Sequence, residues 1–515
     1  MRKKGMLYGA AVLTLSSIMT RLVGVVFSIL LSNTLGAEGI GLFQLIFSFY
    51  ALTINLSRAG ISTAVSRLVA ECAALSQSGR VRKIMRGAVG ISLLLSLTAA
   101  AAAIIFSDKI ALSFLKDRRA VKSILAFAPS LVFISVSSCY KGYFFAVNEI
   151  VKPASSEFVE QAIRMGFIFL LLKISVKDGL SCACAGIFWG YTAGELASLL
   201  YLYAFYRPDL RRKFDAKAAG KGCLKDIAQI AAPLSISSNS TSFLRMEEDI
   251  LILAGLKQYR GSYESAISTY GVLCGMVMPT LMLPSALLTS VSIAILPKIS
   301  RANARGDKKA ISDTVSKVLQ FTCIMSVLVV GIFAAFPDEI GLVIYNNAEM
   351  GPMLRILAPI CVCIYLEITA AGVLNVTGEQ MSTLWYNLAD SLLRLLLVYL
   401  FVPRYGFTAF LITMIISNIF TSTLCIRRLY KVAKIRFDFV NWLLKPLIAV
   451  GATVLNMSFF CRQLLFGRVA VVPGLLIALI FSAMVYIFMN YLIGTFSKSD
   501  ADYFRGLYRR KSGNG

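Results

Sequence analysis

The chain has 515 residues, of which 57% are hydrophobic and 15% are charged, with a formal net charge of +25. Its mean hydropathy is +0.73, and soluble domains carry about a quarter charged residues. These values exclude an ordinary soluble domain. They predict an all-α integral membrane protein, because a helix of about 20 apolar residues is needed to cross a bilayer.

We predict fourteen transmembrane segments, arranged as two pseudo-symmetric six-helix lobes followed by two C-terminal helices. The first segment is kept as a helix, because it is too long for the apolar region of a signal peptide. The segments cover approximately residues 6–32, 39–68, 87–106, 122–147, 153–175, 181–206, 227–256, 266–297, 312–336, 353–375, 381–402, 406–426, 440–461 and 469–493.

A charged cytoplasmic linker, residues 207–226, separates the N-lobe, 1–206, from the C-lobe, 227–436. Residues 437–515 hold the last two helices and a basic cytoplasmic tail. An internal repeat relates the lobes, because a shift of 230 positions without a gap matches six polar, Pro or Gly positions. The matches align Ala128 and Pro129 on Ala358 and Pro359, Gly142 on Gly372, Glu149 on Glu379, Glu160 on Asp390, and Arg164 on Arg394.

Basic residues alternate between the two sides of the predicted membrane. Of 52 Lys and Arg residues, 32 fall on the termini and the even-to-odd connections, 13 on the opposite face and 7 within helices. This asymmetry places both termini in the cytoplasm by the positive-inside rule. It explains most of the net charge, so binding of nucleic acid is a poor second interpretation.

The sequence gives little support for catalysis. It has no histidine, no CxxC pair and no GxxxxGK[ST] loop, so we expect no metal, no nucleotide and no catalytic residue. The chain is therefore predicted to be a transporter and not an enzyme.

The seven basic residues within helices differ in their possible partners. Arg164 follows Glu160 by four positions and Arg394 follows Asp390 by four, which predicts two structural pairs on single helix faces. The same spacing joins Arg245 to Asp249, with Glu247 and Glu248 nearby. Lys141 and Arg67 lie near helix ends, where they either reach the membrane surface or contact a ligand.

Arg21 and Arg58 have no acidic partner at helical spacing in their own segments. Charges at membrane depth face a water-filled cavity or a charged ligand, and a guanidinium matches phosphate oxygens in bidentate geometry. The two arginines therefore predict an anionic cargo, with phosphate as the best candidate. A carboxylate on another helix, such as Glu195, is the structural alternative.

Other polar features at membrane depth allow two interpretations. Pro279 and Pro284 predict a bent helix, which is either a hinge for opening and closing or a packing kink. Asp390, Asn387 and Asp249 belong to an oxygen-rich patch in the C-lobe. Oxygen ligands of this kind suit a Na⁺ or proton site, although Arg394 and Arg245 could neutralise the patch instead.

Three stretches resemble a known family: GAAVLTLSSIMTRLVGVVFSILLSNTLGAEGIGLFQL, AGISTAVSRLVAE and GVLCGMVMPTLMLPSALLTSVSIAILPKIS. They are similar to the polysaccharide flippases of the MATE-like MOP exporter superfamily, in the branch of sporulation proteins and lipid II flippases. The resemblance covers essentially the whole chain and implies a fold of fourteen helices.

The resemblance implies movement of an undecaprenyl-diphosphate-linked saccharide, a peptidoglycan precursor or another envelope glycan, from the inner to the outer leaflet. It places a cationic cavity at Arg21 and Arg58, with Arg67 as a further candidate. Arg245, in segment 7, is a further candidate for substrate binding, whereas relatives use an arginine of segment 8. The resemblance also implies an ion site, for which Asp390, Asn387 and Asp249 are the candidates, with Na⁺ or H⁺ as the coupling ion.

Two other classes remain open. A cation-coupled drug antiporter of the sister MATE family shares the architecture, but it calls for a carboxylate where segments 1 and 2 offer arginines. A non-transporting scaffold has no need of an unpaired arginine. We expect a multi-pass protein of the bacterial cytoplasmic membrane that works as a monomer, with the polyprenyl-diphosphate-linked sugar and membrane lipids as its partners.

Overall fold

The computed structural model describes residues 2–58, 60–75, 78–214, 224–435, 437–455 and 471–495. Within these ranges some side chains are not described, among them those of residues 2–18 and of Arg21. The described chain is almost entirely helical and contains no strand.

Fifteen helices of eight or more residues make up the described chain. They are α1 Arg2–Arg58, α2 Ile61–Ala74, α3 Ser78–Ile105, α4 Val121–Ala146, α5 Val151–Ser175, α6 Leu180–Lys213, α7 Leu224–Arg260, α8 Tyr263–Gly271, α9 Ser285–Ala304, α10 Lys308–Ala335, α11 Pro337–Tyr345, α12 Met350–Leu357, α13 Ile360–Val376, α14 Gln380–Ala433 and α15 Val471–Leu492. Shorter helical turns connect several of them.

Seven helical stretches in the described chain are long and apolar enough to cross a membrane, or eight if the bent pair α12 and α13 is one span. Two of the seven, Val23–Ala74 and Gln380–Ala433, each cover two of the predicted segments. Each contains a non-helical glycine, Gly36 or Gly406. Helices α5, α6 and α7 coincide with predicted segments, but they are not among the seven stretches that are long and apolar enough to count as membrane spans. The all-α membrane class is confirmed, whereas the number fourteen is not.

Contacts divide the chain into two compact units. The first comprises residues 1–275 and 391–410, and its apolar core joins α2, α3, α4, α6 and the start of α7. The second comprises residues 276–390 and 411–515, with a core formed by α9, α10, α13 and α14. The predicted lobes were inferred from the internal sequence repeat, whereas these units are defined by contacts between residues. The lobes therefore stay a prediction.

Within the first unit, α8 packs closely on α1 just after the break at Gly36. A Cβ atom on Gly271 would overlap the carbonyl oxygen of Ala37 and the amide nitrogen of Gly41. A Cβ on Gly41 would in turn overlap the carbonyl oxygen of Ile267. Only glycine permits backbones to approach this closely, because it has no side chain.

Two turns in the first half of the chain recur 230 positions later with the same backbone geometry. Asn148 and Gly378 both have positive φ, 59° and 91°. The next amide, of Glu149 or Glu379, donates to a carbonyl five residues back, in both cases at 2.9 Å. Lys116 and Asn346 form a second such pair, with φ of 54° and 50°. The offset found in the side chains is therefore also present in the backbone.

Candidate functional site

Arg58 is the last residue of α1 and stands at an interruption of the second predicted segment. Gly60, with φ 64° and ψ 6°, is the left-handed cap before α2 begins at Ile61. Broken helices at membrane depth line ligand cavities in transporters. The hydropathy pattern did not predict this interruption.

The side chain of Arg58 is exposed. Its Nη2 donates to Asn55 Oδ1 over a long 3.4 Å, and Arg58 forms no ion pair with any side chain that the structure describes. Asn55 is itself held from α7, since its Nδ2 donates to Ser242 Oγ at 2.6 Å. Arg58 is thus available to a ligand. Arg21 lies within α1, but its side chain is outside the described residues.

The other two arginines predicted to bind substrate are also exposed. Arg67 pairs with Glu71 on α2 at 3.1 Å, and the two side chains are 67% and 54% exposed. Such a pair contributes little to stability, so it does not exclude a ligand contact. Arg245 is exposed on α7. Asp249, its predicted neighbour at helical spacing, lies against the hydroxyls of Ser48 and Tyr270.

Arg164 forms the centre of a buried ion cluster between α5 and α6. It contacts Glu160 Oε1 at 2.5 Å and Glu195 Oε1 at 3.4 Å, and its guanidinium lies 4.2 Å from the centre of the Tyr191 ring. Lys141 from α4 reaches Glu160 at 3.6 Å. Glu195, the alternative partner considered for Arg21 and Arg58, is thus engaged by Arg164.

Arg394 has a partner that its spacing did not indicate. It forms an ion pair with Glu248 of α7 at 2.5 Å, whereas the prediction named Asp390. The Asp390 carboxylate accepts a hydrogen bond from Ser417 Oγ at 2.5 Å. The repeat relates Glu160 and Arg164 to Asp390 and Arg394, but only the first pair is joined by a described ion pair.

The residues proposed for an ion site lie in different parts of the chain. Asn387 and Asp390 are three positions apart on α14 and belong to the second unit, whereas Asp249 belongs to the first. No group of three acidic or Cys side chains close enough for a metal ion occurs among the described residues.

The two predicted hinge prolines follow an irregular stretch. After α8 the chain continues as a π-helix, Val272–Val277, and a short α-helix, Met278–Met282, before a turn at Leu283 and Pro284. π-Helical turns often mark functional sites in helices. Pro279 lies inside this short helix and Pro284 lies at the break itself, directly before α9.

Comparison with known proteins assigns the family. The family model described as polysaccharide biosynthesis protein matches residues 6–303. The chain belongs to the polysaccharide biosynthesis protein family. It is 25% identical over 409 residues to stage V sporulation protein B of Bacillus subtilis (strain 168), covering 78% of this chain and 79% of that protein.

The fold is similar to those of two kinds of membrane protein. It matches the lipid II flippase MurJ in an inward closed conformation, with a TM-score of 0.70 and 16% identity over 93% of this chain and 98% of that one. It also matches an inward-facing multidrug resistance MATE family transporter of the MOP superfamily, with a TM-score of 0.61 and 17% identity over 82% and 99%. The chain thus shares the fold of a MOP superfamily transporter, as the sequence resemblance implied.

Proposed function

We propose that the chain is a flippase that moves an undecaprenyl-diphosphate-linked saccharide from the inner to the outer leaflet of the bacterial cytoplasmic membrane. Its family membership and its similarity to a lipid II flippase support this proposal. The distribution of Lys and Arg supports a topology with both termini in the cytoplasm. The saccharide is a peptidoglycan precursor or another envelope glycan.

The exposed guanidinium of Arg58 carries the proposal. It forms no ion pair among the described residues, although the buried Glu195 of the Arg164 cluster lies within electrostatic reach, and it stands directly before the break at Gly60. A guanidinium offers two parallel N–H donors to a phosphate, and bonds of this kind are about twice as strong as neutral ones. The diphosphate of the cargo would then be the partner that Arg58 lacks. Arg21, Arg67 and Arg245 are further candidate contacts.

The membrane potential supplies a driving force in the proposed direction. Moving one negative charge outward across an inside-negative membrane releases about 2.3 kcal/mol per 100 mV. A coupling ion, Na⁺ or H⁺, would bind at Asp390, Asn387 or Asp249. Ser417 and the hydroxyls beside Asp249 provide additional oxygen ligands for such an ion.

The test measures which leaflet holds the lipid-linked precursor in cells with and without the protein. We expect Arg58→Ala to reduce translocation about 10- to 100-fold, the loss that corresponds to one charge-assisted contact. Arg58→Lys keeps the charge without the bidentate geometry and should be intermediate. Arg355→Ala is the control, because Arg355 forms an exposed ion pair with Asp338 in the second unit. Normal translocation by Arg58→Ala at wild-type abundance would contradict the proposal.

The same cells separate the flippase from its rivals. Cation-dependent drug efflux with an unchanged leaflet distribution would identify an antiporter of the MATE type, whose fold is also similar. A protein that changes neither measurement would act as a scaffold. In either case, Arg58→Ala and Arg58→Lys would change translocation no more than Arg355→Ala does.

A further inference from the structure

A cavity of about 380 Å³, counting the part open to solvent, lies in the first unit beside the end of α7. Leu115, Ile250 and Leu253 form its apolar wall, and Lys116, Lys257 and Tyr263 line the rest. Neither Arg58 nor any residue of the Arg164 cluster lines this cavity. None of the predicted site residues belongs to it.

Both lysines of this cavity are available to an anion. Lys116 and Lys257 are exposed, and neither forms an ion pair within the part of the chain that the structure describes. Arg119 is the ion-pair partner of both nearby carboxylates, Asp117 at 2.8 Å and Glu38 at 2.6 Å, so neither lysine is engaged by them. A bound anion would therefore meet two lysines whose charge is not consumed locally.

Tyr263 adds a buried donor. Its hydroxyl faces the Asp117 carboxylate without a hydrogen bond of ordinary geometry, and the ammonium of Lys257 lies 5.9 Å from the centre of its ring. Because this contact with Asp117 is not a well-formed hydrogen bond, the hydroxyl can donate to an oxygen-bearing ligand in the cavity.

The backbone at Lys116 indicates that lysine is present for a reason other than the turn. Its φ of 54° is left-handed, which costs about 1–2 kcal/mol for most residues and is tolerated best by Gly, Asn and Asp. The equivalent turn 230 positions later has Asn346 with φ 50°. Unfavourable backbone conformations of this kind concentrate at functional sites.

The surroundings favour a lipid over a soluble anion. Leu112 and Phe114, immediately before the cavity, are 55% and 48% exposed, as is typical of residues at a membrane boundary. Basic residues also concentrate here against the positive-inside rule. Seven of the 13 assigned to the outer face belong to these two connections, namely Lys109, Lys116, Arg118, Arg119, Lys122, Lys257 and Arg260.

We propose that this cavity binds the phosphate of a membrane lipid, with Lys116, Lys257 and the Tyr263 hydroxyl on the phosphate oxygens. The apolar wall contacts the first part of the lipid chain. Its position in the outer leaflet rests on the proposed topology, whereas the binding itself does not. Both an anionic phospholipid and the exported polyprenyl diphosphate carry the required group.

The test counts lipids bound to the purified full-length protein by native mass spectrometry, with phosphatidylglycerol, undecaprenyl diphosphate or sodium phosphate added separately. We expect Lys116→Asn combined with Lys257→Gln to weaken lipid binding about tenfold or more, because each basic residue near an anionic lipid contributes about a fivefold preference. Lys173→Gln combined with Lys177→Gln removes the same charge from exposed positions outside the cavity and should leave binding unchanged.

Lys116→Asn alone gives a second readout. Asn tolerates the left-handed backbone, so this variant should melt at the wild-type temperature or above while it binds lipid more weakly. If Lys116 had a purely structural role, its substitution would not weaken lipid binding while leaving the melting temperature unchanged. Binding of the polyprenyl diphosphate alone would identify the cargo at an exit site, and binding of phosphatidylglycerol would identify a bilayer lipid.

Equal lipid binding by the double variant and its control would overturn the proposal. Binding of sodium phosphate as tightly as the lipids would overturn its lipid part. The assay is independent of transport, so a failure of the Arg58 series leaves this result intact, and the reverse also holds.

Discussion

Glu149 and Glu379, 230 positions apart, close equivalent turns with equivalent contacts. Glu149 forms an ion pair with Lys152, three positions later, at 2.8 Å. It forms a second ion pair, at 2.5 Å, with Lys213 at the end of α6. Glu379 accepts from Ser382, again three positions later, at 2.8 Å and from Arg428 near the end of α14 at 2.7 Å. In the first half this links the turn between α4 and α5 to the end of α6, and in the second it links the turn between α13 and α14 to the end of α14, beyond the break at Gly406.

The first prediction concerns the pH dependence of this contact. Burial alone raises the pKa of Glu149, but hydrogen bonds from Lys152 and Lys213 outweigh it and lower the pKa below its usual range. The stabilisation is therefore present above the unfolded pKa and is lost as the pH falls through the folded one. Glu149→Gln should lose about 1 kcal/mol at pH 7, since the pairs are partly exposed to solvent.

Thermal unfolding in detergent between pH 7 and pH 3 checks this prediction. The difference between Glu149→Gln and the wild type should shrink on acidification. Glu264→Gln removes an exposed carboxylate and serves as the control. A gap that stays constant down to pH 3 would show that the charge of Glu149 is not what stabilises the turn.

A second prediction concerns the break beside Arg58. Gly60→Ala places a side chain at φ 64° and brings its Cβ to 3.0 Å from the Ala231 carbonyl oxygen. The left-handed conformation costs about 1–2 kcal/mol, so the melting temperature and transport should both fall. Gly90→Ala is the matched control, because nothing lies within 4 Å of its Cβ. Equal effects of the two substitutions would argue against a required break.

A third prediction separates the buried cluster from a surface pair. Arg164→Met leaves Glu160 and Glu195, 8% and 4% exposed, without their shared partner. Breaking a buried pair in this way costs about 3–5 kcal/mol. Arg67→Met breaks an exposed pair and should cost about 1 kcal/mol or less. Yield and melting temperature of the purified proteins provide the comparison, and similar values for both variants would contradict the assignment.

A fourth prediction tests the close packing of α8 on α1. Gly271→Ala introduces a methyl group into space filled by the backbone at Ala37 and Gly41. Overpacking of this kind costs about 1–3 kcal/mol. Gly166→Ala, in α5, has nothing within 4 Å of its Cβ and should be neutral or slightly stabilising, since alanine favours helices. A Gly271→Ala protein as stable as Gly166→Ala would show that the two helices can separate without cost.

The sequence predicted the membrane class and the Glu160–Arg164 contact, because hydropathy and four-residue spacing are both local properties. It named Arg394 as a group that could neutralise the oxygen-rich patch, but it did not single out Glu248 as the partner, since spacing reports only neighbours on the same helix. The break at Gly60 was also missed, because a single glycine in an apolar segment is usually tolerated within a helix. The positive charge near Lys116 was counted in the sequence, but the cavity beside it depends on the approach of α7.

The two left-handed turns have a consequence for the history of the chain. Lys116 and Asn148 are separated by 32 positions, as are Asn346 and Gly378. Neither copy has gained or lost a residue in this interval relative to the other. One inserted residue would rotate every later side chain of the intervening helix by about 100°, turning buried positions toward lipid. Substitutions were therefore tolerated between these turns while changes of length were not.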